Sequence, residues 1–289
     1  MFTYNIKCFL ENIGGTYNMS NIGIDIGTTN IKIIETNENL KIKNKAIFAR
    51  IDPNIALENF VNTNNINMNN VEKIAITGIG TDKFTKEKYK ASIIEIPEFI
   101  AIGNCGKIVL KNEDFVVASA GTGTAFIKNK DGVITHMGGT GIGGGTLINL
   151  CKSVLPNTTF KEINEAIQKG NLANVDLKIK DVTTNNIATL PKDTTAVNFG
   201  KLDDNATKED VVLGIVNMIF ETIGVMSALI AKGDNIKKII VTGQIAKIPY
   251  AKEVLNKIEI LHNVEFIIPE NAEFMTALGA IFYCNNKNV

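Results

Sequence analysis

The chain has 289 residues, of which 45% are hydrophobic and 21% charged, and its thirty basic and thirty acidic residues cancel. This composition excludes a disordered chain, offers no basic excess to nucleic acid or an anionic membrane, and contains no unbroken run of the roughly 18 apolar residues that span a bilayer. Four widely spaced cysteines without a CxxC pair, together with two histidines, argue against a disulfide framework and a histidine-based metal centre and point to a reducing, cytoplasmic setting.

Residues 1–18 hold a short apolar run at Cys8-Phe9-Leu10 but no basic leader or long apolar core, so they do not read as a signal peptide. Met19-Ser20-Asn21 reads as a natural start, and Ile13-Gly14-Gly15-Thr16 as the translation of a purine-rich ribosome-binding sequence. Residues 1–18 are therefore expected to be a disordered extension or a start-site artefact. Strands are predicted at 22–26, 31–35 and 41–48. A helix to which Ile55, Leu57 and Phe60 give a partly buried face follows over 54–62, then an Asn-rich loop over 62–70. A short buried strand spans 71–77, and a helix weakened by Gly103 and Gly106 spans 98–109.

The order then begins again. Strands are predicted at 115–119, 125–128 and 133–137, the last entered through a tight turn at Asp131-Gly132. Helices follow at 146–155 and 160–168, and a long apolar helix at 211–232. A strand at 237–241, a helix at 250–258 opened by Pro249, a strand at 264–268 and a helix at 272–283 complete the chain. Each half reads as βββαβα without a strong sequence repeat, which predicts an N-terminal lobe over 19–112 and a C-terminal lobe over 113–289.

Two glycine-rich turns hold the chemistry. They are Gly23-Ile24-Asp25-Ile26-Gly27-Thr28-Thr29-Asn30-Ile31-Lys32 and Ala118-Ser119-Ala120-Gly121-Thr122-Gly123-Thr124-Ala125. Each gathers backbone N–H groups and hydroxyls in a small space, with no Cβ to block an approaching anion. One turn in each half points to two lobes gripping the phosphates of a single nucleotide. Asp25 ends the first strand, where a carboxylate can hold Mg²⁺ through water while Gly27, Thr28 and Thr29 approach the phosphates. The plain alternative is an aspartate that caps the turn. Lys32 reads either as a point charge for the transferred phosphate or as a solvated strand lysine. The second turn, with Gly121, Thr122, Gly123 and Thr124 as its phosphate contacts, is followed by Gly138-Gly139-Thr140-Gly141-Ile142-Gly143-Gly144-Gly145-Thr146, in which six of the 24 glycines fall within eight positions. No Gly-Lys-Ser/Thr follows, so this is not a Walker loop. It leads into a helix whose N-terminus, at Gly143, Gly144 and Gly145, can face an anion. Thr242-Gly243-Gln244 follows a strand where an adenine or ribose contact would sit.

A duplicated βββαβα order with a phosphate turn in each half resembles the actin/hexokinase/Hsp70 superfamily of ATP-binding proteins. The resemblance implies an α/β, two-lobe, actin-like ATPase (ribonuclease H-like) fold. The two glycine segments, the block Leu190-Pro191-Lys192-Asp193-Thr194-Thr195-Ala196-Val197-Asn198-Phe199-Gly200, and the tail from Pro269-Glu270-Asn271-Ala272-Glu273-Phe274 to Ala277-Leu278-Gly279-Ala280 resemble type II (eukaryotic-like) pantothenate kinases over residues 22–283. This narrower resemblance implies a kinase that uses ATP and Mg²⁺ to phosphorylate the primary hydroxyl of pantothenate, the committed step to coenzyme A. It also implies a homodimer and inhibition by acyl-CoA. The long helix suits dimerisation, with Val212, Ile215, Ile219 and Ile223 on one stripe and Val216, Met218, Val225 and Met226 elsewhere.

The resemblance further implies a catalytic Glu opening the helix after a lobe-one strand. Pro97-Glu98-Phe99-Ile100-Ala101 matches, making Glu98 the expected base. The plain alternative is a first-turn acid favoured by the helix dipole, and Glu95 is a nearby competitor in the more extended segment before Pro97. Where the family has an Arg touching pantothenate, this chain has Thr135-His136-Met137, so His136 is either the substrate contact or a packed strand residue. Ser119 stands where the family often has Asn, and Cys105 where it tends to have Gly. Two alternatives remain: a same-fold kinase for another small hydroxyl substrate, and a nucleotide- or CoA-binding sensor without turnover. The sequence lacks the zinc cluster of sugar kinases, and Glu98 argues against a sensor.

Overall fold

The computed structural model describes residues 19–185 and 190–286. The expectation for residues 1–18 lies outside the described residues. The first half folds as β1 (Ser20–Ile26), β2 (Asn30–Asn37), β3 (Ile42–Ala49), α1 (Pro53–Thr63), β4 (Val71–Thr77), β5 (Ser92–Glu95) and α2 (Glu98–Leu110). The second begins with β6 (Phe115–Ala120), β7 (Thr124–Lys130), β8 (Val133–Thr140), α3 (Gly144–Val154) and α4 (Phe160–Lys169). It continues with β9 (Leu177–Lys178), α5 (Ile179–Val182), β10 (Thr195–Val197), α6 (Lys208–Gly233), β11 (Lys238–Thr242), α7 (Pro249–His262), β12 (Glu265–Ile267) and α8 (Met275–Asn286).

Two five-stranded sheets result, ordered β3-β2-β1-β4-β5 and β8-β7-β6-β11-β12. In each, three strands joined by hairpins pair antiparallel, and two further strands add in parallel. β1 is buried at every position, as a central strand covered on both faces must be. The halves are copies of one topology, the duplicated α/β lobe architecture of the actin/hexokinase-like ATPases. The copy extends to single residues. Gly78 and Gly243 follow the equivalent strands β4 and β11 with φ of +98° and +100°. A Cβ at either would strike the carbonyl oxygen of Ile26 or Ala120, the last residue of β1 or β6. Only glycine permits both the left-handed backbone and that approach.

Four short elements, β5, β9, α5 and β10, lie outside the pattern read from the sequence. β5 has four residues at a sheet edge with only two half-buried isoleucines, too short to show a period. The β9–β10 pair is shorter still. α6 begins at Lys208 because Thr207 and Asp210 form a capping box ahead of the apolar run.

The helices fix where the halves meet. α1 covers the first sheet with Leu57 and Phe60 against Ile22, Ile24 and Ile74. α6 covers the second with Val212, Ile219 and Phe220 in the core of Val116, Ala118 and Phe126. The remaining faces share a crossed pair. α8, from the end of the chain, lies on β1 and β4, whereas α2, from the first half, lies on β6, β7 and β8 and on α8 itself. Ile34, Ala101, Ile102, Phe115, Ile127, Ala277 and Ile281 form one apolar core across both halves. α6 has the length and mean hydropathy (26 residues, 1.8) of a membrane-crossing helix, yet 67% of its apolar window is buried inside the protein, as in a core helix. Val216 is buried with the rest, Met218, Val225 and Met226 are half-buried, and Leu229 is 56% exposed.

Candidate active site

The two glycine turns touch. Thr28 Oγ1 and Thr29 Oγ1 lie 3.0 and 3.2 Å from Thr122 Oγ1. Gly27 N–H closes the first turn on Asn30 O (3.1 Å), and Gly121 N–H closes the second on Ser119 O (3.2 Å). Asn30 Nδ2 donates to Gln244 Oε1 (3.3 Å), so the segment after β11 joins the same seam. Around the turns lies a cleft of about 740 Å³. Of the residues expected from sequence, Asp25, Gly27, Thr28, Thr29, Lys32, Glu98, Gly121, Thr122, Gly123, Thr124, His136, Gly144, Gly145 and Gly243 line it.

Gly143 does not line the cleft; it packs on Gly123, where a Cβ would come within 2.6 Å of the backbone. The start of α3 is also differently employed from the expectation. Gly144 N–H donates to Gly121 O (2.8 Å) and Gly145 N–H to Thr122 O (2.9 Å). Two of the four donors a helix leaves free at its start therefore hold the second turn in shape and are not offered to an anion. The glycine run is a buttress that lets the helix backbone sit directly against the turn backbone.

Asp25 and Lys32 face each other across the β1–β2 register. Lys32 Nζ donates to Asp25 Oδ2 at 2.8 Å, with the two side chains only 13% and 7% exposed. Asp25 does not cap its turn: among the described residues Lys32 is its hydrogen-bond partner, and the turn closes through backbone groups. Glu98 opens α2 and reaches solvent through the cleft. Its surroundings in the cleft strip away enough water to push its carboxyl above the ordinary glutamate range. The Asp25 charge pushes the same way and Lys32 opposes it. Glu95 is elsewhere. It accepts from Lys86 Nζ (2.6 Å) and Thr81 Oγ1 (2.7 Å), and these bonds hold it below the ordinary range. His136, on β8, stacks on Phe99 with ring centroids 3.8 Å apart and planes 11° from parallel. The stack ties the second sheet to the start of α2 beside Glu98.

Several lining residues lie outside the set of site residues expected from the sequence. Arg50, Lys152, Glu273 and Thr276 are among them. Glu273 is buried and accepts from Lys247 Nζ at 2.7 Å. The block Asp193 to Gly200, which carries much of the family resemblance, contributes nothing to the lining. Thr195 Oγ1 and Asn198 Nδ2 donate to Glu221 on α6 (2.7 and 2.9 Å), and Phe199 N–H donates to buried Asp176 (2.8 Å). Burial lifts the Asp176 carboxyl above its ordinary value.

Comparison with known proteins agrees with the fold. A type II pantothenate kinase of Staphylococcus saprophyticus is 27% identical over 270 residues, which cover 90% of this chain and 98% of that one. One from Bacillus anthracis is 27% identical over 279 residues, 93% of this chain and 99% of that one. Among solved structures, the activator of the 2-hydroxyisocaproyl-CoA dehydratase from Clostridium difficile with bound ADPNP superposes with a TM-score of 0.66 at 16% identity, over 93% of this chain and 95% of that one. A ROK family glucokinase from Streptomyces griseus, in complex with glucose and AMPPNP, gives 0.58 at 12% identity, over 90% and 97% of the two chains. These superpositions show that the chain shares the actin/hexokinase-like ATPase fold. The model of the Fumble family matches residues 111–260, more than half of the sequence, and the chain belongs to that family.

Proposed function

We propose that the protein is an ATP-dependent kinase that phosphorylates the primary hydroxyl of pantothenate. The observation that carries this reading is the convergence of two phosphate-type turns, hydroxyl to hydroxyl, on a cleft that also holds a carboxyl of raised proton affinity at Glu98. In this reading the turns hold the phosphates of ATP. Among the described residues no three His, Cys, Asp or Glu side chains form a metal cage. Asp25 beside the first turn does fit Mg²⁺, which binds through one or two carboxylates together with substrate phosphates. When bound, Mg²⁺ neutralises phosphate charge. Glu98 takes the hydroxyl proton as the acceptor oxygen bonds the γ-phosphorus, the bond from that phosphorus to the β,γ-bridging oxygen breaks and ADP leaves with that oxygen, and the His136–Phe99 stack forms the neighbouring wall of the acceptor site. The lobes, residues 19–112 and 113–289, close about the α2–α8 pair and exclude water. Pantothenate is favoured among acceptors by the near-full-length similarity to kinases that carry its name.

A coupled ADP-release assay with Mg·ATP and a panel of hydroxyl acceptors tests the reading. Turnover is expected with pantothenate above glucose and other hydroxy acids. A preference for a different acceptor would make this a kinase of another small substrate. Nucleotide binding by calorimetry with no turnover on any acceptor would make it a sensor.

The same reading includes a homodimer and its regulation by acyl-CoA. The half-buried Met218, Val225 and Met226 and the exposed Leu229 on α6 offer apolar surface for a second copy. Light scattering at micromolar concentration is expected to give a dimeric mass, and a monomeric mass rejects the dimer.

A further inference from the structure

Among the described residues, three basic side chains line the cleft: Lys32, Arg50 and Lys152. Lys32 is engaged by Asp25. Arg50 is the only arginine in the chain, every other basic residue being a lysine. It stands immediately after β3, and its N–H donates to Thr29 O at 3.3 Å, which fastens it to the first phosphate turn. Its backbone is left-handed, with φ of +52°. That conformation disfavours residues with a Cβ, Asn and Asp least. Among the described residues, ten non-glycine residues are held this way and five of them are Asn, so an arginine stands here against the usual preference. Its side chain is exposed at the cleft, and its guanidinium has no hydrogen-bond or ion-pair partner among the described residues.

We infer that Arg50 binds the terminal phosphate of the nucleotide in this cleft. The assignment rests on the nucleotide reading given above. A guanidinium presents a planar fork of N–H donors that matches two phosphate oxygens at once, which an ammonium cannot do. The wall it joins carries Asp25 and Glu98, two acids that would repel a polyphosphate. Asp25 already occupies Lys32, so Arg50 is the cation free to answer that charge on the side of the first turn. Phosphoryl transfer accumulates charge on the moving group, and a cation fixed beside the turn stabilises it there.

Calorimetric titration of the full chain with ATP, ADP and AMP, each with Mg²⁺, separates the possibilities. Arg50→Asn removes the charge but keeps a residue suited to the left-handed backbone, so folding is protected. Arg50→Lys keeps the charge and loses the fork. Arg50→Asn is expected to weaken ATP about tenfold or more, ADP less and AMP within about twofold, with Arg50→Lys between it and the wild type. Unchanged ATP affinity in Arg50→Asn, while the wild type binds ATP, overturns the assignment and leaves the nucleotide cleft standing. Equal weakening of ATP and AMP also overturns it, because a grip on the terminal phosphate cannot act on a nucleotide that lacks it. A wild type that binds none of the three overturns the nucleotide reading itself and this assignment with it.

Discussion

Glu98→Gln is expected to lower turnover by about 100-fold or somewhat more and to leave Mg·ATP affinity nearly unchanged. Gln keeps the shape and the hydrogen bonding of the side chain but cannot accept the hydroxyl proton. Loss of a positioned base costs about 100- to 10,000-fold in general, and phosphoryl transfer belongs at the lower end because positioning and charge do most of its work. The raised proton affinity of Glu98 adds a pH signature. As pH falls through its folded value the carboxylate takes up a proton and ceases to be a base, so the acid limb of kcat is expected at a higher pH than a solvated glutamate would give. That limb should vanish in Glu98→Gln. Glu95→Gln is expected to cost far less, since Glu95 lies outside the cleft lining in a pair with Lys86. Wild-type turnover in Glu98→Gln, measured at saturating Mg·ATP with a working acceptor, removes Glu98 as the base.

The parts of this site that are contiguous in the chain were legible before any fold was known. Gly27 to Thr29 and Gly121 to Thr124 each sit in one hairpin, where strand, turn and returning strand announce one another locally. The duplicated order followed from the same local signals. What the sequence hid depends on contacts between distant segments. No period or motif tells that α2 leaves its own half to lie on β6, β7 and β8, or that α8 returns to β1. The glycine run at 138–145 reads as an anion cradle, yet in three dimensions its helix donates to the carbonyls of the second turn. The Phe99–His136 stack joins residues with no shared pattern. Two signals were present but weak. A hairpin that turns at Thr28-Thr29 places Asp25 opposite Lys32, so their pairing follows from register once the strands are granted. The solitary arginine is visible in composition alone, but only the fold shows that it stands at the cleft.

Asp25→Ala is expected to remove the Mg²⁺ dependence of ATP binding and to destabilise the protein by about 3–5 kcal/mol, the cost of leaving one member of a buried ion pair without its partner. Both expectations come from the same oxygen atoms. Asp25 Oδ2 accepts from Lys32 at 2.8 Å, and Lys32, only 13% exposed, has little water to replace it. The carboxylate also lies at the end of β1, where it lines the cleft beside Gly27 and the Thr28–Thr122 contact. The two roles separate in a second variant. Asp25→Ala combined with Lys32→Met removes the orphaned charge as well, and much of the lost stability should return, because apolar replacement of a buried pair is often close to neutral. The Mg²⁺ dependence should not return, since no carboxylate is restored. Thermal unfolding follows the first effect and calorimetry with and without Mg²⁺ the second. If Asp25→Ala binds Mg·ATP as tightly as the wild type, Asp25 is a structural partner of Lys32 and not a metal-binding group. If the double variant regains Mg²⁺ dependence along with stability, the loss in the single variant was a consequence of the unpaired lysine.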